Sequence, residues 1–171
     1  MNAQAPQSPA AGNDDLSALA WVQDELRRSL EAAHKSLRRF VKDTEALGES
    51  DVDSVDTAPL RQARSQIHQS VGALEMVGQP LVAMVLRASE AAVQRFVGKP
   101  AKLTNSIVDD IERSSFAVLD YLGRLVAGKT VSALSLFPQY RAVQEAGGAE
   151  RVHPADLWPH AWGWRALPSD T

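Results

Sequence analysis

Apolar residues recur along most of the chain at intervals of three and four, the spacing that gathers them on one side of an α-helix. Leu16, Leu19, Val22, Leu26, Leu30, Ala33, Leu37 and Phe40/Val41 form the first such stripe and predict a helix over residues 15–47. Asn13 or Asp14 is placed to cap its start by accepting from the free amides of the first turn, and Gly48 to end it as a left-handed residue. A second stripe, Leu60, Ala63, Ile67, Val71, Leu74 and Val77, predicts a helix over residues 57–77. Thr57 or Asp56 is its expected cap, and Pro59 falls in the first turn, where a missing N–H costs little. Gly78 closes this helix and Pro80 opens a third, through Leu81, Met84, Val85, Ala88, Ala92 and Phe96, which Gly98-Lys99-Pro100 ends. The fourth spans about residues 103–126 through Ile107, Ile111, Val118, Leu122 and Leu125, and stops at Gly128. No segment alternates with period two between turn residues, so no strand is expected. No solenoid-type repeat is present.

Beyond Gly128, residues 132–136 fit a further turn or two, and Pro138 starts a short helix reaching Ala146 before Gly147-Gly148. Four amphipathic helices with short connections predict an all-α fold, an antiparallel four-helix bundle with an additional short C-terminal helical segment packed across it. Residues 1–13, rich in Ala, Gln and Pro, read as a disordered leader, residues 14–148 as the bundle, and residues 149–171 as a Trp-rich tail or linker. Tryptophans at that density either dock back on the bundle or wait for a partner. Leu157 and Trp158 follow the turn Pro154-Ala155-Asp156, which can present both to one surface. Trp158 is therefore expected to be buried, and Trp162 and Trp164 to be more mobile. Trp21, off the first stripe beside Glu25 and Arg28, is expected at the edge of the core.

The length, 171 residues, suits one domain. Lys plus Arg is 18 against 21 Asp plus Glu, a formal net charge of −3, which argues against a nucleic-acid module with its clustered basic face. Absence of cysteine excludes disulfides, thiol nucleophiles and Cys-ligated metals and fits a reducing compartment. No apolar run is long enough for membrane insertion, and the first residues lack the features of a signal peptide, so a soluble, cytoplasmic protein is expected. Common enzyme signatures are missing: there is no phosphate-binding glycine loop, no HExxH pair and no Gly-x-Ser-x-Gly elbow. His153 and His160 read as ordinary loop histidines without a third metal ligand. His34, beside Lys35, reads as solvated, and Asp109, Asp110 and Glu112 as the solvated face of the fourth helix.

His68 stands apart because of its surroundings. It follows Ile67 by one residue, so it lies about 100° round the helix from the stripe, at the boundary of the core face and within reach of water. Gly72 follows at i+4, directly above it. A mid-helix glycine costs about 0.5–1 kcal/mol relative to alanine, which calls for a steric reason. Either bare backbone lets another surface approach the imidazole, or it admits a neighbouring helix at close range.

The segment IHQSVGALEMVG, Ile67 to Gly78, resembles the phosphoacceptor segment of histidine phosphotransfer (Hpt) domains. His68, Gly72, Ala73 and Gly78 match that pattern, and Val77 fills the apolar position before the last glycine. Val71 stands where the family has lysine, and Ser70 occupies a usually aliphatic position. Over residues 16–158 the order of elements is similar to the N-terminal module of ChpA/PilL-type (CheA-related) hybrid sensor kinases. The shared features are LAWVQDEL, then IHQSVGALEMV, LFPQYRAVQE and a short Pro-Ala-Asp-Leu turn. That subgroup includes members lacking the lysine.

The resemblance implies an Hpt-like module of a two-component, chemotaxis-type phosphorelay controlling type IV pili and twitching motility. His68 would be the phosphoacceptor, and the chain a phosphocarrier segment of a larger histidine kinase without catalytic activity of its own. Its partners would be a response-regulator receiver domain and histidine kinase domains. It would need no cofactor itself, since the receiver supplies Mg²⁺. Histidine suits the task because an ordinary imidazole pKa of about 6.5 leaves much of it neutral at physiological pH. Phosphoryl transfer also profits from a nearby cation. Val71 supplies none; Arg64, one turn before His68, is the candidate. Because Gly72 and Gly78 keep the family's register, Val71 is expected on the surface beside His68, where with Gly72 it would line the partner's approach. The alternative is a degenerate Hpt fold that serves interaction or scaffolding and is not phosphorylated.

Overall fold

The computed structural model describes residues 13–48 and 54–158. Among them every regular element is helical: α1 (Asn13–Leu47), α2 (Ala58–Met76), α3 (Pro80–Gly98), α4 (Asn105–Val126) and α5 (Phe137–Ala146). Single 3₁₀ turns lie at Pro100–Lys102, Ala133–Leu136 and Pro154–Leu157. Residues 1–12, most of the expected leader, and Trp162, Trp164 and His160 lie outside the described residues. None of the described helices is long and apolar enough to cross a membrane.

Helix ends follow local chemistry. α1 already includes Asn13, so the two residues expected to cap it belong to its first turn. Asp56 Oδ1 accepts from the Ala58 amide at 3.0 Å and opens α2, whereas Thr57 uses its hydroxyl to accept from Arg61. α4 starts at Asn105 because Thr104 caps it, its Oγ1 accepting from the Ile107 amide at 3.3 Å. Gly78 takes φ +74° after α2 and Gly48 φ +71° after α1, conformations in which a Cβ would be strained.

The stripes meet in one core. α1 packs against α2 and α4, while α3 packs against α2, α4 and α5. Cover on three sides explains why burial in α3 is wider than its predicted stripe: Val82, Ala83, Leu86, Ser89 and Val93 join Val85, Ala88, Ala92 and Phe96, whereas Leu81 and Met84 are half-buried. The end of α5 comes so near α3 that a Cβ on Gly147 would lie 3.7 Å from the Ala92 Cα. The turn at Pro154–Leu157 is tied to α5 through Tyr140, whose hydroxyl donates to Asp156 at 3.1 Å and accepts from Gln144 at 2.9 Å. His153 caps that turn, Nδ1 accepting from the Ala155 amide.

Two aromatic expectations are corrected here. Leu157 is fully buried, but Trp158 is 52 % exposed. Successive residues of a 3₁₀ turn point about 120° apart, so one surface cannot take both. Trp21 is 66 % exposed rather than at the core edge, because α1 is covered only on the sides that meet α2 and α4.

Polar side chains line the seam between α1 and α4, and two further expectations change there. Asp109 and Glu112 are half-buried and paired, not simply a solvated face. Both bind the Arg38 guanidinium, Glu112 at 2.7 Å, and Asn105 joins them at 3.2 Å. Arg38 holds the Asp109 carboxyl below the usual carboxylate range by hydrogen bonding. His34, expected to be solvated, is buried. It follows Leu30 by four residues and precedes Leu37 by three, on the flank of the stripe that α4 covers. Ser115 Oγ donates to the Ile111 carbonyl at 3.1 Å, so it accepts from His34 Nε2–H at 2.9 Å. Farther along, Gln23 Nε2 crosses Gly123 to reach the Leu119 carbonyl at 3.3 Å.

Burial lowers the His34 pKa from its ordinary value of 6.5; Arg38 adds to this, while Glu112 and Glu31 oppose it. The unfolded chain therefore binds a proton at this histidine more readily than the folded one does. Stability then declines as pH falls through about 6.5 toward the folded-state value. The thermal midpoint is expected to drop between pH 8 and pH 5, and His34→Gln, which keeps a donor for Ser115, to flatten that dependence. Parallel declines in the two proteins would eliminate His34 as the source.

Candidate functional site

The rotation of α2 decides what its surface offers. Ile67 and Leu74 are fully buried, and His68, one residue on, turns outward. Its side chain is 73 % exposed, with Nδ1 2.8 Å from Oε1 of Glu90 on α3. A carboxylate only accepts, so the neutral imidazole carries its proton on Nδ1 and its lone pair on Nε2. Among the described residues nothing hydrogen-bonds to Nε2, so the nucleophilic nitrogen is the one left free.

A second ion pair crosses the same seam. Glu75, two turns after His68, pairs with Arg87, three residues before Glu90. Beyond its chain neighbours and the backbone of its own helix, no described atom lies within 4 Å of where a Cβ on Gly72 would stand. Close approach of a neighbouring helix therefore does not account for this glycine, and the space beside it is open.

Val71 departs from expectation. It is 3 % exposed and belongs to the core with Ile67 and Leu74, so it does not line an approach surface. The i, i+4, i+7 spacing of these three residues outweighs the register of the resembled motif. Ser70 is buried as well, and its hydroxyl donates back to the Gln66 carbonyl at 3.1 Å, which lets a polar residue occupy an inward position. Arg64 is half-buried, and its Nε is enclosed without a partner. It takes no part in the His68–Glu90 pair.

Glu90 and Arg87 are the residues that sequence reasoning missed. Both come from the next helix, 22 and 19 positions after His68, and no local spacing points to them. Among the described residues no group of three or more His, Asp or Glu side chains is placed to hold a metal ion. No family model, curated protein or solved structure matches the chain.

Two substitutions report on this geometry. Val71→Lys is expected to destabilise the protein by about 3 kcal/mol, since an ammonium would enter the core without a partner. Urea denaturation measures this, and a neutral result would place position 71 at the surface. Gly72→Ala adds a methyl to open space on a regular helix. It is expected to stabilise by about 0.5–1 kcal/mol, and a loss of stability would reveal a contact at this position.

Proposed function

We propose that the chain is an Hpt-like phosphocarrier module of a chemotaxis-type two-component relay acting in the cytoplasm on type IV pili. His68 is the phosphoacceptor, and a receiver domain and histidine kinase domains are the partners. The observation that carries this reading is the exposed His68 whose Nδ1 is held by Glu90, leaving Nε2 available. The match of His68, Gly72, Ala73 and Gly78 to the Hpt segment adds to it. So does the packing order, in which each of α1, α2, α3 and α4 neighbours the next and α4 returns to α1. The pairs His68–Glu90 and Glu75–Arg87 have a later residue of α2 meeting an earlier one of α3. An antiparallel four-helix bundle, crossed by α5, accounts for both features.

In this reading the Nε2 lone pair attacks the phosphorus of a receiver's aspartyl phosphate. The P–Nε2 bond forms as the bond to the carboxylate oxygen breaks, and the carboxylate leaves with the electron pair. The Nδ1 proton stays in its hydrogen bond to Glu90, which fixes tautomer and ring orientation and steadies the positive charge that develops on the imidazole. Mg²⁺ and most of the groups acting on the phosphate belong to the receiver, so the module itself contributes a positioned nucleophile. Gly72 leaves room for the receiver to come within bonding distance.

The second reading, a scaffold on the same fold, is favoured by the buried Val71 in place of the lysine. Phosphotransfer assays with a kinase and a Mg²⁺-loaded receiver separate the two. His68→Gln is expected to abolish labelling, and Glu90→Ala to slow it by about 10–100-fold, the scale of a lost orienting partner. A wild-type protein that takes no phosphate from either partner leaves the scaffold.

A further inference from the structure

With Val71 in the core, α2 places no cation one turn after His68, and the chain departs from the resembled motif at the position that steadies the phosphoryl group. The neighbouring helix offers one. Arg87 precedes Glu90 by three residues, as Val71 follows His68 by three. Since α2 and α3 run in opposite senses in the proposed bundle, both steps lead about 4.5 Å along the axis toward Gly78. Arg87 thus stands across the seam at the axial level where the family carries its lysine.

In the resting protein Arg87 is paired with Glu75, the side chains being 56 % and 42 % exposed. Exposed pairs of this kind are weak and exchange readily. A phosphoryl group on Nε2 would bring nearly two negative charges and three acceptor oxygens to the same seam, a better match for the guanidinium fork than one carboxylate. We propose that Arg87 turns from Glu75 to the phosphoryl group on His68, supplying the charge that Val71 cannot, with Glu75 as its resting holder. This rests on His68 being the phosphoacceptor. Arg64 is less suited, because its Nε is enclosed and its side chain leans toward the start of α2.

The test needs no partner protein. Phosphoramidate, protonated on nitrogen, donates its phosphoryl group to an imidazole: P–Nε2 forms, the P–N bond of the reagent breaks, and ammonia leaves with the electron pair. The Nδ1 proton stays on the ring, in its hydrogen bond to Glu90. Phosphohistidine is followed by ³¹P NMR in the wild type, Arg87→Gln, Arg87→Lys, Glu75→Gln and His68→Gln, and the signal that His68→Gln removes is assigned to His68. Arg87→Gln is expected to slow labelling of His68 about tenfold, with Arg87→Lys restoring most of the rate and Glu75→Gln raising it about two- to threefold. Added salt should narrow the gap between wild type and Arg87→Gln, which a purely structural arginine would not cause. Equal rates in wild type and Arg87→Gln would overturn the role of Arg87 while His68 remains the acceptor. A Glu75→Gln protein slower than wild type would overturn the holder role. If no signal depends on His68, the phosphoacceptor reading itself falls.

Discussion

The angular setting of α2 is the constraint on which the rest of the molecule turns. Leu60, Ala63, Ile67, Val71 and Leu74 are all buried against neighbouring helices. Each such side chain contributes about 1.5–3 kcal/mol when fully removed from water, Ala63 less. Turning α2 far enough to bring Val71 to the surface would lift Ile67 or Leu74 out of the core with it. No single surface interaction offsets that loss. Burial therefore fixes which residues of α2 face outward, and His68, Gly72 and Glu75 follow from it as a set. The step from Ile67, fully buried, to a largely exposed His68 is one residue of helix.

The two seams flanking this arrangement differ in kind. Between α1 and α4, polar groups are matched along much of the length: Glu45 with Asn105, Arg38 with Asp109 and Glu112, His34 with Ser115, and Gln23 with the Leu119 carbonyl. Satisfied groups of this sort add modest stability, but a mismatch at a buried site such as Ser115 is costly, so they favour one register of α1 on α4. Between α2 and α3 the buried residues are mostly apolar, Ser70 and Ser89 apart, and the ion pairs lie toward solvent. Charges there can change partners without disturbing the core. A proposed phosphoacceptor belongs at such an edge, where accepting and losing about two negative charges leaves the packing intact.

Periodicity made most of the architecture legible. Most residues of the stripes in α1, α2 and α4 are buried, with Leu16, Leu19, Val77, Ile107 and Leu125 half-buried at their ends, and Gly48, Gly78, Pro80 and Pro100 mark the joints. The exposure of His68 follows from its offset from Ile67. Side chains whose surroundings are set by another helix were not legible in this way. His34 looked solvated because Lys35 follows it, yet α4 covers it and Ser115 accepts its hydrogen bond. Asp109 and Glu112 looked like an ordinary polar face, yet Arg38 reaches them across more than 70 residues of sequence. Glu90, the partner that decides which nitrogen of His68 is free, is likewise a property of the pairing of two helices and of no local pattern.

Val71 shows what happens when two kinds of sequence evidence disagree. Its place in the stripe with Ile67 and Leu74 predicted burial, and the register of a resembled motif predicted exposure. The stripe describes a free energy, the cost of leaving three apolar side chains in water, and it acts on this chain whatever other chains contain. The motif describes where other chains have found a lysine useful, and it constrains position 71 only if the residue there can still perform that task. Valine cannot. With an apolar residue there, nothing holds position 71 at the surface, and the helix buries it. The glycines of the motif do not oppose this: Gly78 shapes the end of α2 and Gly72 faces open space on the side of His68. One rotation of α2 thus buries Val71 with Ile67 and Leu74 and leaves His68 exposed.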